Sequence, residues 1–507
     1  MKRVRVRFAP SPTGALHIGG VRTALYNFLL ARQSGGTMIL RIEDTDQSRF
    51  VPGAEAYIQE SLRWVGIQID EGVGIGGPYA PYRQSERKAI YKKYAKQLID
   101  SGDAYYAFDT EADLEAMRQR IPNAQYDSST RMQMKNSLSL SAQEVAQKLA
   151  SGEPHVIRLN IPPGKEVSLS DLIRGEVKVL STQLDDKVLM KSDGMPTYHL
   201  AHVVDDYLMK ITHVIRGEEW LPSAPLHVLI YQYLGWHNEM PEFAHLPLLL
   251  KSDGNGKLSK RDADRLGFPI FPLQWSDPKT GEASVGFHDA GYLPEALINF
   301  LALLGWNPGT TQEIFSMAEL IDAFSLDRVN KAGSKFDIQK AQWFNQHYLR
   351  AKTREELTRY LLASLEKEKI DCSQAKAIQV VDILRERVTF PKDFWEQGKI
   401  FFIAPQTFDE AAASKKWSQD AIRVLTPFAQ EVKLISKLTA ESAQSSLERV
   451  ATTEGLKTGQ VLAALRIALT GGMSGPDLMH TMEILGNEET SRRIDYALQK
   501  LTIKSKE

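Results

Sequence analysis

The sequence predicts a parallel α/β domain, interrupted by an inserted α+β segment and followed by an all-helical region. Three observations carry this prediction. The chain begins with a strand–helix–strand unit. A polar segment over residues 92–200 interrupts the alternation of strands and helices, and apolar residues at helical spacing dominate from Pro294 onward. The chain of 507 residues is too long for one hydrophobic core, so several domains are expected.

The opening unit is read from two periodicities. Val4, Val6 and Phe8 alternate with arginines, as in a strand with one solvated face. Apolar residues then recur at helical spacing up to the stop at 34–36 (Ser-Gly-Gly), and TMILRIED (Thr37–Asp44) is a second strand. Two strands joined by one helix predict a parallel, right-handed βαβ unit. The stretch APSPTGALHIGG therefore lies at the carboxyl end of a strand, where such folds bind ligands.

The later elements follow the same patterns. In residues 92–200, the helix-prone stretches EADLEAMRQR and SAQEVAQKLASGE precede short strands at HVIRLNIP and EVKVL. The βα rhythm resumes with a strand in Ile211–Trp220 and the helix APLHVLIYQYLG. After Pro294, the stretches PEALINFLALLGW, AQWFNQHYLR and LAALRIALTGG carry helical apolar stripes.

Composition excludes several classes of protein. With 43% hydrophobic and 25% charged residues, the chain reads as an ordinary globular protein. It has neither a signal-peptide pattern nor an apolar run long enough to span a membrane. Its single cysteine, Cys372, permits no intrachain disulfide and no cysteine-based zinc site. We expect a cytoplasmic monomer with no membrane partner.

Two stretches suit a phosphate-binding site. There is no P-loop motif, and the glycine pattern at Gly72, Gly74 and Gly77 runs into prolines, which favours a plain loop. His17 lies at a helix N-terminus, where free N–H groups bind anions. The stretch KSDGNGKLSKRDAD (Lys251–Asp264) offers two ammoniums and a hydroxyl. Alone, His17 could simply cap its own helix, and Lys251–Asp264 could be an ordinary solvated loop. The occurrence of both stretches in one chain is a specific indication of a phosphate-binding site.

These two stretches resemble the signature motifs of class I aminoacyl-tRNA synthetases, in the variants HIGG and KLSKR typical of glutamyl-tRNA synthetases. RFAPSPTG, RIEDTD, VPGAE, YRQSER, PTYHLAHVVDD, VIRGEEW and GYLPEALINFLALLGW also resemble that family. The resemblance is dense over residues 1–350 and thinner in the helical tail. It implies a Rossmann-type catalytic domain (1–91 and 201–250), an inserted acceptor-arm-binding domain (92–200), a stem-contact region with the KLSKR loop (251–340) and an all-helical anticodon-binding region (341–507).

The resemblance also implies an activity and its residues. The reaction is ATP-dependent ligation of L-glutamate to tRNA(Glu) through glutamyl-adenylate, with Mg²⁺ brought by ATP. A synthetase that also charges tRNA(Gln) stays open as an alternative. The implied catalytic residues are His17, Lys257 and Lys260. The implied ATP-binding residues are Gly14, His17, Gly19, Gly20, Lys257, Ser259 and Lys260. The implied glutamate-binding residues are Arg7, Ala9, Ser11, Glu43, Tyr198, Arg216 and Trp220.

Three expectations concern structural zinc, an apparent metal cluster and the anticodon. Many bacterial relatives carry a cysteine-rich zinc element in the inserted domain, but this segment has no cysteine, so we expect no structural zinc. His199, His202, Asp205 and Asp206 look like a metal cluster, yet the resemblance assigns this stretch to amino-acid contact. The stretch RERVTF (Arg385–Phe390) is the candidate anticodon reader, because Arg385 and Arg387, beside Phe390 and Phe394, can hydrogen-bond to and stack on single-stranded bases. The resemblance links an arginine near Arg387 to the choice between glutamate and glutamine anticodons. An ordinary solvated helix face is the alternative.

Two other classes of protein share some of these features. A small nucleotidyltransferase shares both loops but has no use for the long helical tail. A non-catalytic tRNA-binding paralogue is disfavoured because His17, Lys257 and Lys260 are all present.

Overall fold

The structure, a computed structural model, describes residues 3–121 and 124–502. The chain divides into two compact units, Met1–Phe344 and Asn345–Glu507. The strands in the described residues are β1 (Arg5–Phe8), β2 (Thr37–Leu40), β3 (Glu71–Gly72), β4 (Ala104–Ala107), β5 (Val156–Leu159), β6 (Glu166–Asp171), β7 (Gly175–Leu180), β8 (Val188–Met190), β9 (His213–Gly217), β10 (Glu242–Leu246), β11 (Leu249–Leu250), β12 (Trp275–Ser276), β13 (Ala283–Ser284) and β14 (Ser334–Lys335).

The helices over the same residues continue into the second unit. They are α1 (Ile18–Gln33), α2 (Ala54–Trp64), α3 (Lys88–Asp100), α4 (Glu111–Arg120), α5 (Ala142–Ala150), α6 (Tyr198–Leu208), α7 (Ala224–Tyr233), α8 (Lys260–Leu266), α9 (Pro294–Ala302), α10 (Met317–Ala323), α11 (Ile338–Ala351), α12 (Arg354–Lys367), α13 (Gln374–Leu384), α14 (Asp393–Gly398), α15 (Glu410–Lys416), α16 (Gln419–Leu434), α17 (Ala440–Thr453), α18 (Leu462–Thr470) and α19 (Leu478–Lys500). None of these helices is both long and apolar enough to cross a membrane.

The parallel βαβ unit predicted at the start of the chain is confirmed. β1 pairs in parallel with β2, from Arg5 opposite Thr37 to Phe8 opposite Leu40. The carbonyl of Arg5 also accepts the N–H of Thr212, just before β9, at 2.9 Å. A three-stranded sheet, β3-β2-β1, and a four-stranded sheet, β9-β10-β6-β7, thus meet side by side at β1 and β9. Connections diverge between β1 and β9, so a crevice opens at the carboxyl ends of these two strands.

The helix α1 forms and ends as its sequence predicts, although it begins at Ile18, earlier than the first apolar stripe residue. Its apolar residues are buried around most of its circumference, because it packs between the sheet and helices of the same unit. The glycine stop is confirmed, since Gly35 adopts a φ of 59°. Gly72, Gly74 and Gly77 lie in β3 and the following loop, and no helix opens at the third glycine.

The segment 92–200 contributes to two different sheets. β4, β5 and β8 form a three-stranded sheet of their own, with a small core around Tyr105 and Met117. β6 and β7 instead extend the main sheet, where β6 lies next to β10. The strand β6 was not predicted. Its inward positions are Val167, Leu169 and Asp171, and a carboxylate at an inward position hides the alternation. The boundaries of the inserted domain stay a prediction.

In the second unit the described residues are helical, as the stripes predicted. α16, α17 and α18 all pack on α19. Their buried faces carry Val424, Phe428, Leu447 and Leu465, each fully enclosed. α19 bends at Gly486, whose φ of 79° is outside the helical range. A four-helix core of this kind buries a continuous apolar face.

Candidate active site

A cavity of about 470 Å³ opens at the carboxyl ends of β1, β2 and β9. The loop after β1 forms one wall, residues Glu43–Asp46 form a second, and Ile215–Gly217 form a third. All seven residues predicted to bind glutamate line it, namely Arg7, Ala9, Ser11, Glu43, Tyr198, Arg216 and Trp220. Five of the predicted ATP-binding residues line it as well, namely Gly14, His17, Gly19, Gly20 and Lys257.

His17 both caps α1 and keeps a donor for a ligand. Its Nδ1 accepts the backbone N–H of Gly19 at 3.0 Å, so the ring proton must lie on Nε2. The ring is open to the cavity, yet the surrounding protein desolvates it. Desolvation and the nearby Lys257 ammonium lower the pKa of the imidazole. His17 is therefore a neutral N–H donor at the start of a helix, which suits a phosphate oxygen.

The KLSKR segment is only partly in the cavity. Lys257 lines the cavity, and its Nζ lies 3.1 Å from Glu219. Ser259 and Lys260 do not line it. The Ser259 hydroxyl accepts the N–H of Asp262 as the N-cap of α8. Lys260 Nζ pairs instead with Glu282 at 3.0 Å. Of the residues predicted as catalytic, the structure brings together His17 and Lys257 but leaves Lys260 outside the cavity lining.

Arg7 is buried and held by a carboxylate. Its Nε donates to both oxygens of Asp206, at 3.2 and 3.3 Å. In the described chain its hydrogen bonds run through Nε alone, so both Nη groups keep their donors for a ligand. The alternative of a surface residue like Arg5 is excluded, since Arg7 is only 4% exposed.

Glu43 is placed by a second buried arginine. Arg41, fully enclosed, donates to Asp206 at 2.7 Å and to Glu43 at 3.0 Å. Burial raises the pKa of the Glu43 carboxyl, and the guanidinium groups of Arg41 and Arg7 oppose that rise. Because Glu43 lines the cavity, its carboxylate can receive an ammonium from a ligand.

Arg216 has a different environment. Its Nε donates to His245 at 3.0 Å and its Nη1 to the Tyr198 hydroxyl at 2.6 Å. His202 and His227 lie within 3.4 Å of its Nη atoms. Burial lowers the pKa of both histidines well below the usual range, so they are neutral at pH 7. In the described chain no carboxylate pairs directly with Arg216, which leaves its charge available to an anionic ligand.

The four residues that look like a metal cluster have other partners. Asp206 binds Arg7 and Arg41, while Asp205 accepts from Arg87 at 2.7 Å and from the Tyr91 hydroxyl. His199 lies 3.3 Å from His227. Over residues 3–121 and 124–502 no group of histidine, cysteine or acidic residues is placed to hold a metal ion. The absence of structural zinc from the protein itself stays a prediction.

Sequence reasoning missed several residues around the cavity. Glu219 lines the cavity and pairs with Lys257, and its position in VIRGEEW close to Arg216 was a usable signal. His245 and Asp171 lie behind Arg216, and no local pattern marks them. Both are distant from Arg216 in sequence and reach it only because β6, β10 and β9 are neighbours in the sheet.

The two arginines of RERVTF, in the second unit, have different environments. Arg385 donates to the backbone carbonyls of Arg350 and Lys352, so its guanidinium secures the end of α11. Arg387 is exposed, and in the described residues no side-chain hydrogen bond holds it. Phe394 is fully buried, which removes it as a surface for stacking on a base. Arg387 is the better candidate of the two for contact with a nucleic acid.

Comparison with known proteins divides the chain at nearly the same place as its two compact units, Met1–Phe344 and Asn345–Glu507. A family model described as "tRNA synthetases class I (E and Q), catalytic domain" matches residues 3–343. A second model, "Anticodon binding domain", matches residues 348–498.

Whole-length relatives exist as well. A glutamate–tRNA ligase of Cytophaga hutchinsonii is 58% identical over 509 residues, covering 99% of this chain and 98% of the relative. One of Amoebophilus asiaticus is 58% identical and covers 98% of each chain. The solved structure of a glutamate tRNA ligase from Elizabethkingia meningosepticum, in complex with its amino acid, superposes with a TM-score of 0.95. It is 48% identical, over 99% of this chain and 100% of that one.

Proposed function

The chain belongs to the class I tRNA synthetases of the glutamate type, and from that membership we propose that it ligates L-glutamate to tRNA(Glu) with ATP. Glutamyl-adenylate is the intermediate, and diphosphate and AMP are released. Cytoplasmic action follows from these substrates. ATP enters as its Mg²⁺ complex, because Mg²⁺ is held largely by the phosphate oxygens themselves.

One observation carries the proposal. A single cavity is lined by two buried arginines, the mostly enclosed carboxylate of Glu43 and a helix N-terminus with a neutral histidine donor. Glutamate needs cations for its two carboxylates and an anion for its ammonium, while ATP needs donors for its phosphates. The cavity contains each of these groups.

The first step joins glutamate to AMP. An oxygen of the α-carboxylate attacks the α-phosphorus, the bond to the bridging oxygen breaks, and diphosphate leaves with that electron pair. The Nε2–H group of His17 stabilises the negative charge that develops on the phosphate oxygens, and the Lys257 ammonium stabilises it further. Lys260 would join them if the KLSKR segment moved toward bound triphosphate. No protein nucleophile is required, so catalysis is positioning and charge stabilisation.

The second step transfers the glutamyl group. A terminal ribose hydroxyl of the tRNA attacks the activated carbonyl, its proton is lost, and AMP leaves with the electrons of the anhydride bond. Selection of glutamate over glutamine rests on the arginines. A neutral amide would leave a buried guanidinium without an anion, and such mismatches give large discrimination.

The tRNA contacts follow the family layout. We assign the acceptor arm to residues 92–200, the stem to residues 251–340 and the anticodon to the helical region matched over 348–498. Ala9 and Trp220 would shape the amino-acid pocket, with the Trp220 ring against Tyr198 at 4.4 Å between centroids.

Aminoacylation of purified tRNA isoacceptors tests the proposal. We expect labelled glutamate to be attached to tRNA(Glu), and labelled glutamine to be attached to neither tRNA(Glu) nor tRNA(Gln). The His17→Ala variant is the matched control for chemistry at this site and should lose adenylate formation. Absence of charging of tRNA(Glu) by the intact protein, with ATP and glutamate present, would overturn the proposed function.

A further inference from the structure

A row of three polar side chains crosses the sheet behind the cavity. Asp171 ends β6, His245 lies in β10, and Arg216 lies in β9 directly opposite His245 in the parallel register. The His245 side chain is completely enclosed, and that of Asp171 nearly so. Arg216 is the member that lines the cavity.

The hydrogen bonds along this row have a defined direction. His245 Nδ1 lies 2.6 Å from Asp171 Oδ2, and a carboxylate can only accept, so the imidazole proton is on Nδ1. The lone pair of Nε2 then accepts the Nε–H of Arg216 at 3.0 Å. A neutral histidine of this tautomer is the only form that satisfies both partners.

The carboxylate itself is fixed by the backbone. Its other oxygen, Oδ1, accepts the N–H groups of Ile173 at 3.0 Å, Arg174 at 2.8 Å and His245 at 3.3 Å. The Oδ2 atom is therefore held toward His245. Strand β6 belongs to the segment 92–200, outside the predicted catalytic segments. Asp171 therefore acts on the amino-acid pocket only through His245 and Arg216.

From this row we propose that Asp171 and His245 are positioning residues for glutamate recognition, and that they orient the guanidinium of Arg216 toward a substrate carboxylate. The inference rests on the proposed function. Anchoring of Nε fixes the plane of the guanidinium, so its Nη edge meets the ligand without first losing side-chain freedom. Asp171 is the negatively charged member of this row, and the imidazole of His245 separates it from Arg216.

The variant Asp171→Asn changes this arrangement by one atom. Three N–H groups converge on the Oδ1 position, so the amide oxygen occupies it and the NH₂ group faces His245. His245 must then accept at Nδ1 and carry its proton on Nε2, where it opposes the Nε–H of Arg216. The shape of the site is unchanged while its hydrogen bonding is reversed.

The experiment is ATP–diphosphate exchange with tRNA present, with KM measured separately for glutamate and ATP. For Asp171→Asn we expect glutamate KM to rise ~10- to 100-fold while ATP KM stays within about twofold. The matched control is Asp186→Asn, another enclosed carboxylate of the same unit, bound by Tyr105 and Arg131 away from the cavity. This variant also loses a buried charge, but Asp186 does not line the cavity, so its glutamate KM at saturating tRNA should stay unchanged.

A second pair of variants serves where Asp171→Asn fails to fold. In His245→Gln the amide can donate to Asp171 and accept from Arg216, whereas His245→Leu can do neither. Glutamate KM should rise much more in the leucine variant. Equal glutamate KM in these two variants, or an Asp171→Asn enzyme with normal glutamate KM, overturns the inference. If the wild-type protein itself fails to activate glutamate, the proposed function fails instead.

Discussion

Two buried arginines, Arg7 and Arg216, line the same cavity, but only Arg7 has a carboxylate directly against it. Asp206 lies directly against Arg7, whereas Arg216 is surrounded by a hydroxyl, a carbonyl and neutral imidazoles. A buried charge without a direct counter-ion is costly unless a ligand supplies one. Binding of an anionic substrate should therefore stabilise the protein, and the two arginines should be separable by mutation.

Arg7→Gln is expected to weaken glutamate use and to leave ATP use unchanged. The lost charge-assisted hydrogen bond contributes about 1.5–3 kcal/mol, or ~10- to 150-fold in glutamate KM. Arg5→Gln is the control, since Arg5 is on the same strand, pairs with Glu71 and does not line the cavity. The measurement is KM for each substrate in diphosphate exchange. A rise in ATP KM alone would assign Arg7 to the other ligand.

The histidines predict how stability depends on pH. Burial, with Lys187 and Arg216 adding repulsion, lowers the pKa of His199 to about 4. His202 and His227 shift in the same direction. The unfolded chain binds protons near the ordinary pKa of about 6.5, before the native state does. Stability contributed by neutral histidine is therefore complete above pH ~6.5 and falls as the pH drops toward 4.

The slope is about 1.4 kcal/mol per pH unit for each proton taken up on unfolding. Urea midpoints measured across this interval check the sign. His199→Gln should give a shallower dependence than the wild type, because one titrating group is removed. A stability that rises as the pH falls from 6.5 to 5 would contradict the expected sign.

Two helix N-termini present the motif residues, and each uses one of them as a cap. His17 accepts from the first turn of α1, and Ser259 does so for α8 with Asp262 completing a reciprocal pair. Capping fixes the side chain of His17 in a useful tautomer, whereas it occupies the hydroxyl of Ser259. At the scale of elements, His17 is preorganised as a donor, whereas the Ser259 hydroxyl is occupied as a cap and Lys260 lies outside the cavity lining.

Lys260→Ala should lower kcat for adenylate formation ~10²-fold with little effect on the fold. Its partner Glu282 is exposed, and exposed ion pairs contribute little to stability. Lys279→Ala, at an exposed lysine of the same unit, is the control and should behave as wild type. Diphosphate exchange with tRNA present gives the rate. Near-normal turnover of Lys260→Ala would remove this residue from the catalytic set.

At the scale of the whole molecule, the family models for a catalytic domain and for an anticodon-binding domain match separate compact units. The two family models end and begin within a few residues of the division between the units. A change in the second unit should therefore alter which tRNA is charged without altering diphosphate exchange at saturating tRNA.

Arg387→Gln tests that separation. Charging of tRNA(Glu) should survive, while the preference over tRNA(Gln) falls by ~1–3 kcal/mol, the size of one lost base contact. Arg359→Gln, at another exposed arginine of the second unit, should keep the wild-type preference. The ratio of kcat/KM for the two tRNAs is the measurement. An unchanged ratio in Arg387→Gln would locate the anticodon reader elsewhere in the helical region.

The sequence by itself determined the βαβ opening, the helical tail and the position of the His17 loop, because each is encoded in a short stretch. The glutamate-binding set came from the family resemblance of several separate stretches. Val4, Val6 and Phe8 alternate, and His17 and Arg7 fall beside a strand-to-helix turn where α/β folds bind ligands. Local periodicity and local turns need no knowledge of distant residues.

Only the tertiary structure decided which side chains support those residues. Asp171 and His245 reach Arg216 because three strands far apart in sequence are neighbours in the sheet, and Asp206 reaches Arg7 from α6. The same holds for Lys260, whose pairing with Glu282 depends on a distant loop, and for Arg385, whose donors are taken by the end of α11. Hydrogen bonding between buried groups depends on ångström-scale proximity, which sequence spacing does not encode.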